Sequence, residues 1–176
     1  MSTWYGQIGQ DKFVVDVLKG KQNGTFLDVG CHEARNLSNT WHLEKELGWR
    51  GIAIDCDPTW MGQWATERPG SVFVLGDACA LDYAVLLAAQ HISQPVDYLS
   101  LDLEPPEATW RCLQHILSFP IIFRTVTFET DYYRYKESRD PSRALMQAHG
   151  YVLTRPGVPG MFGEQDDFYV HQSVLT

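Results

Sequence analysis

Short apolar runs alternate with amphipathic stretches along this chain, and no other feature limits its fold as strongly. Gln10 to Lys19 carries Phe13, Val14, Val17 and Leu18 on one face, at helical spacing. After the break "KGKQNG", Thr25 to Val29 reads as a strand. Leu37 to Leu47 reads as a helix, with Ser38 or Asn36 as N-cap and Gly48 just past its end. "GIAID" (51–55) is a second strand, and Pro58 opens a helix through Trp60 and Trp64 towards Arg68. "SVFVLGDA" (71–78) is a third strand and turn, followed by a helix from Leu81 to His91. "PVDYLSLDLE" (95–104) is a fourth strand, followed by a helix from Glu107 to Ser118. "IIFRTVTFET" (121–130) is a fifth, long strand, and Asp140 to His149 is a short helix stopping at Gly150. Two last strands, 151–155 and 167–172, are joined by the Pro/Gly loop "PGVPGMFGEQD".

Strands that alternate with helices imply right-handed crossovers and a parallel sheet covered on both faces. A final strand pair with no helix between its members adds an antiparallel hairpin at one edge. The expectation is an α/β, Rossmann-like, seven-stranded and mostly parallel sheet. At 176 residues the chain fits one domain: an entry helix (1–20), a first half (24–104) and a second half (105–176). Open sheets of this kind bind ligands outside the carboxyl ends of their strands, where strand order reverses.

A net charge of −8 repels phosphate backbones, which argues against nucleic acid or an anionic membrane as partner. The one basic strip, Arg134, Lys136, Arg139 and Arg143, is diluted by Glu137 and Asp140. No apolar run approaches the ~18 residues of a membrane span, and the N-terminus lacks a signal-peptide pattern. Cys31, Cys56, Cys79 and Cys112 show no CxxC spacing and read as reduced thiols, so a cytoplasmic protein is expected.

The residues after the strands share one property. Asp28-Val29-Gly30-Cys31-His32, Asp55-Cys56-Asp57, Gly76-Asp77-Ala78 and Asp102-Leu103-Glu104 all carry carboxylates. A dinucleotide or ATP site wants backbone N–H groups and few negative charges near its phosphates. An acid after the second strand suits the two hydroxyls of a ribose, and one after the third suits an exocyclic amine of adenine. A ligand with an ammonium group, a ribose and an adenine but no phosphate is S-adenosylmethionine. Helix N-capping is the alternative for any single one of these acids, and it weakens for four together.

"FLDVGCHEARNLSNTWHLEKELGWRGIAIDCDP" (26–58) resembles the opening of the FkbM-type S-adenosylmethionine-dependent methyltransferases. "GQIGQDKFVVDVL" upstream is similar to that family's entry helix, and "VDYLSLDLEPPEATWRCL" to its fourth strand and following helix. The resemblance implies a cofactor-binding half (24–104) and an acceptor-side half (105–176). It puts Asp28 and Gly30 around the methionine portion, Asp55 on the ribose, and Asp77 and Ala78 beside the adenine. Cys31, His32, Asn39 and Cys56 belong to the same cofactor set, and Gln10 is expected to close over the amino-acid end. Asp102 and Glu104 face the reacting methyl as catalytic candidates, Asp102 also touching cofactor, with His32 as a third. The implied reaction is methyl transfer to a hydroxyl oxygen of a small molecule or sugar. The chain is short for such an enzyme, so either its site is open to a larger acceptor or a second subunit covers it, as in a homodimer.

The chain also departs from the family pattern. Ala34 stands where the family has Gly, so a positive φ there would carry a cost, and Pro105 replaces the Gly after Glu104. These changes keep open a module that holds S-adenosylmethionine without turnover. "EPP" is similar to the Asn/Asp-Pro-Pro-aromatic motif of amino-group methyltransferases, but Glu107 cannot stack a flipped base as an aromatic residue would. An NAD enzyme would need G-x-G-x-x-G after the first strand, which is missing. Cys31, Cys56, Cys79 and His32, or Asp102, Glu104 and His32, are the metal alternatives. Trp41, Trp60, Trp64 and Trp110 read as helix packing, and "TDYYRYK" (130–136) as a loop able to line an acceptor pocket.

Overall fold

Alternate side chains of a buried strand must satisfy opposite layers, and the first strand shows how this chain does so. The structure is a computed structural model that describes residues 3–175. In β1 (Thr25–Val29), Leu27 and Val29 join one core and Phe26 another. Leu27 and Val29 pack with Tyr83 and Leu87 of α4 (Tyr83–Ala89) and Cys112, Leu113 and Ile116 of α5 (Pro106–Leu117). Met146 of α6 (Arg139–Ala148) belongs to the same core. Phe26 packs with Phe13 and Val14 of α1 (Gln10–Val17) and Leu43 of α2 (Trp41–Leu47). A smaller cluster joins Ala53 of β2 (Arg50–Asp55) to Cys31, Ala34 and Trp64 of α3 (Met61–Glu67).

Among the described residues, β3 (Val72–Leu75), β4 (Val96–Leu101), β5 (Phe123–Glu129), β6 (Tyr151–Gly160) and β7 (Gly163–His171) complete one sheet of order β3-β2-β1-β4-β5-β7-β6. β1 lies parallel to β2 and β4, β2 to β3, and β4 to β5; β7 is antiparallel to both β5 and β6. Strand order reverses between β1 and β4, and the carboxyl ends of those two strands frame the main cleft.

Two elements differ from expectation. The segment expected as a Pro/Gly loop is mostly strand, with β6 and β7 running on to a tight turn at Met161 and Phe162. β6 is the outermost strand, so Pro156 and Pro159 remove no interior ladder bond. Register shifts along β6 absorb the remaining mismatch, and Gly157 (φ 56°) donates its N–H to Asp167 Oδ1 at 2.8 Å. The second difference is α2, which starts at Trp41 rather than Leu37. Leu37 has a φ of 56°, which ends any helical run there, and Ser38 Oγ instead accepts from the Trp41 N–H at 3.2 Å. Pro58 opens a 3₁₀ turn, Pro58–Trp60, capped by Asp57 accepting from Thr59, before α3 begins. No helix among the described residues is long and apolar enough to cross a membrane.

Candidate functional site

The loop after β1 turns its backbone donors inward. Gly30 and Cys31 both donate to the Ile54 carbonyl, at 2.9 and 3.2 Å. His32 N–H donates to Asp55 Oδ2 at 2.9 Å, and Ala34 N–H to Gln63 Oε1 at 3.1 Å. These groups are therefore spent on β2 and α3, not offered to a ligand. Gly30 (φ 79°) is required here, because a Cβ would lie 1.7 Å from the Asp102 carbonyl oxygen. The next strained residue is His32 (φ 49°), not Ala34; Ala34 is buried in ordinary backbone geometry, and the expected glycine penalty there does not arise.

Below this loop lies a buried polar network. Arg68, just past α3, is fully buried and pairs with Glu44 Oε2 through Nε at 2.7 Å. Its other nitrogens donate to the Ala34 carbonyl (2.9 Å), Ser38 Oγ (3.3 Å) and Thr40 Oγ1 (3.1 Å), and the guanidinium lies 4.4 Å from the Trp64 ring. Thr40 Oγ1 in turn donates to Asp28 Oδ2 at 2.6 Å. Burial raises the Asp28 carboxyl above its ordinary range, while Thr40 and Arg68 pull the other way. Arg68 thus orders segment 34–40 and props Asp28 beneath the cleft.

The cleft holds about 300 Å3 and is lined by Asp28, Gly30, Cys31, His32, Asn39, Asp55, Cys56, Asp102 and Glu104, all expected site residues. Gln7, Asn36, Leu37, Asp57, Trp60 and Leu103 line it as well. Asp55 accepts the Asp57 N–H through Oδ1 at 2.9 Å besides that of His32, so it ties the two loops together at the cleft wall. The His32 ring packs on Trp60, centroids 4.1 Å apart. Trp60, expected as helix packing, lies in the 3₁₀ turn and faces the cleft, whereas Trp64 is core. Asn39 donates through Nδ2 to Ser100 Oγ at 2.9 Å, and its buried Oδ1 has no donor among the described residues.

Two further hollows adjoin the cleft. One of about 210 Å3 shares Asp55, Cys56, Leu103 and Glu104 with it and adds Asp77, Ala78 and Ala108. The other, of about 350 Å3, shares Gln7, Asp102 and Glu104, and adds Glu129, Tyr133, Arg134, Phe162 and Gln165. Gln10 lines none of the three. Its amide is turned into the protein, donating to Asp166 Oδ2 at 3.2 Å and accepting from the Ile8 N–H at 2.9 Å. Gln7, which precedes α1, lines both the cleft and the 350 Å3 hollow.

Asp102 and Glu104 stand in different surroundings. Glu104 is exposed and accepts from Arg134, which also holds buried Asp131. Asp102 is half-buried, and desolvation raises its carboxyl; Glu129 beside it is raised as well, by burial and by the Asp102 carboxyl. The sequence reading missed Glu129, although it ends the fifth strand as the other acids end theirs. Burial also raises the Cys31 thiol, and Cys79 lies beside the adjoining hollow rather than with Cys31. No group of three or more side chains fit to hold a metal ion occurs among the described residues.

The chain superposes on Aeropyrum pernix fibrillarin with natively bound S-adenosylmethionine at a TM-score of 0.59 and 17% identity, over 90% of this chain and 74% of that one. M. capricolum TrmK in complex with S-adenosylhomocysteine gives 0.60 and 10%, covering 91% and 68%. The N-terminal domain of EvdMO1, in the presence of S-adenosylhomocysteine and D-fucose, gives 0.60 and 12%, covering 97% and 84%. This is the class I methyltransferase fold. No family model matches the sequence, and no curated protein matches it. The strand order that defines the class I methyltransferase fold, with β7 inserted antiparallel between β5 and β6, is complete in this chain.

Proposed function

We propose that this chain transfers a methyl group from S-adenosylmethionine to a hydroxyl oxygen of a small molecule or sugar. The observation that carries the reading is the loop after β1: its N–H groups are spent on β2 and α3 while carboxylates line the cleft. Such a site repels phosphate and accepts from cations and hydroxyls. Asn39 Oδ1, buried without a donor among the described residues, and Asp28 fit an ammonium group. Asp55 fits ribose hydroxyls, and the hollow walled by Ala78, Ala108 and Leu103, with Asp77 at its side, fits a flat purine. The fold shared with proteins solved with S-adenosylmethionine or S-adenosylhomocysteine supports the same cofactor. The FkbM-type motifs support a hydroxyl acceptor, and the sugar in the EvdMO1 structure accords with one.

The bound cofactor would supply an electrophilic methyl on a sulfonium. The protein's part is to align an acceptor oxygen in line with it and to take the hydroxyl proton. Asp102 lines both the cleft and the 350 Å3 hollow, so it stands between cofactor and acceptor. Its raised carboxyl suits it to accept a proton near neutral pH. Glu104, anchored by Arg134, positions the acceptor at the rim. His32, held over Trp60 at the far wall, lines the cleft but not that hollow. Cytoplasmic location and the absence of a nucleic-acid partner belong to the same proposal, as does a second subunit over the open site.

Titration calorimetry with S-adenosylhomocysteine, S-adenosylmethionine and NADH tests the reading. The first two are expected to bind and NADH not to. Failure of both sulfur ligands to bind removes the proposal, and binding without methyl release to any hydroxyl acceptor leaves a cofactor-holding module.

A further inference from the structure

The hollow beyond Asp102 has a chemistry of its own. Its base is Glu129, the last residue of β5 and 7% exposed. Glu129 Oε1 accepts from Gln165 Nε2 at 3.0 Å, while buried Oε2 has no donor among the described residues. Asp102 lines the same hollow, and its carboxyl raises that of Glu129. Two carboxyl groups lining one small hollow favour a proton or a cation between them. Other acids crowd in from every side: Asp131 beyond β5, Asp166 on β7, Asp28 at the end of β1 and Glu104 at the rim. Arg134 is the hollow's one cation among the described residues that line it, and Glu104 and Asp131 already engage its guanidinium. Gln10, from α1, spends its amide on Asp166.

The opposite wall is apolar. Tyr133 and Phe162 stack with centroids 5.7 Å apart, and Phe162, at the β6–β7 turn, is 69% exposed. A hollow with an acidic base, an unanswered acceptor atom and an aromatic wall matches a molecule with a cationic head and a ring body.

We propose that the methyl acceptor carries a protonated amine, seated between Glu129 and Asp102, with its ring against Tyr133 and Phe162. An amino sugar or an aromatic amino alcohol has this make-up. The inference rests on the functional reading above and narrows its acceptor class; the amine is the anchor, and the hydroxyl is presented towards the cleft past Asp102. A hydroxyl in the anchor position donates a single hydrogen bond and leaves the acids unbalanced, whereas an ammonium donates three and supplies the missing charge. Burial keeps a proton on Glu129, and the arriving ammonium displaces it, so binding releases a proton.

Matched probes test this: tyramine against tyrosol, and glucosamine against glucose, each pair differing in one amine-for-hydroxyl exchange. Calorimetry on the full chain, with and without saturating S-adenosylhomocysteine and in two buffers of different ionisation enthalpy, reads affinity and proton release. In at least one pair the amine is expected to bind about tenfold more tightly, with about one proton released. Glu129→Gln, nearly the same shape, is expected to reduce the preference to less than about threefold. No preference in either pair, or a preference that survives Glu129→Gln, overturns the proposal. Should that variant not fold, the wild-type preference and proton count decide. Loss of S-adenosylhomocysteine binding alone would instead overturn the cofactor assignment, since the amine preference is also read without it.

Discussion

The carbonyl oxygen of Asp102 occupies the space that a side chain on Gly30 would need, 1.7 Å from the position of its Cβ. The ends of β1 and β4 touch through backbone at that point, and Asp102 N–H donates to the Val29 carbonyl at 3.0 Å. Gly30→Ala therefore has to separate the two strands at the point where the cleft opens. It is expected to cost more than about 2 kcal/mol, beyond the ~1–2 kcal/mol of a left-handed alanine alone. Gly9→Ala is the control, with a similar φ of 86° and nothing within 4 Å of its Cβ. Urea unfolding of the two variants measures the difference, and equal losses would contradict the close approach.

Arg68 and Glu44 form a buried pair whose separation leaves a charge stranded. Arg68→Met is expected to cost roughly 3–5 kcal/mol, and the double variant Arg68→Met with Glu44→Met to recover part of that loss. Because Arg68 also holds Ala34, Ser38 and Thr40, affinity for S-adenosylhomocysteine should fall in the single variant. A double-mutant cycle read by denaturation and calorimetry checks both.

Asp55→Ala is expected to weaken S-adenosylhomocysteine binding by about tenfold or more, close to 1.4 kcal/mol, with the chain still folded. The effect has two sources, lost ribose acceptors and release of the His32 and Asp57 amides. Comparison with adenosine and with methionine separates them: adenosine should lose affinity and methionine much less. Unchanged affinity for all three removes the ribose role.

The pH dependence of stability follows from acids whose carboxyls are raised by burial, Asp166 most plainly. A raised acid keeps its proton in the folded chain after the unfolded chain has lost its own. Its favourable contribution is whole below the ordinary value of 3.8 and drains away as pH rises towards the folded value, by up to about 1.4 kcal/mol per pH unit. Asp166→Asn should therefore gain stability over the parent as pH goes from 5 to 8. His171, lowered by burial, acts in the opposite sense near its ordinary value, and subtracting parent from variant cancels it. Melting curves at four pH values give the trend; a flat difference would place the Asp166 carboxyl in its normal range.

Much of this architecture was legible because hydrophobic period is local. Phe26-Leu27 and Ile52-Ala53-Ile54 are continuous apolar runs, and buried strands of a parallel sheet have no polar face to show. β1 was read to the residue, and the class of fold followed from alternation. The acids after β1 to β4 were legible for the same reason, since each follows a recognisable strand. Glu129 obeys that rule too. Less legible was the start of α2, where Arg68, thirty residues away in sequence, holds the chain in a non-helical path. β6 was hidden because proline and glycine signal turns, and only an edge position with bulges makes them tolerable in a strand.

The sequence by itself determined the order of strands and helices and the acidity of the strand ends, which depend on near neighbours, whereas the need for glycine at position 30 comes from the Asp102 carbonyl on another strand. Tertiary structure decided which groups share a site. Gln7 lines the cleft and Gln10 does not, Glu104 is answered by Arg134, and Glu129 is brought against Asp102. Those pairings arise from the sheet order β1-β4-β5-β7, which sets residues distant along the chain side by side in a water-poor interior. There a carboxyl's proton and charge depend on what stands opposite, and no local pattern records that.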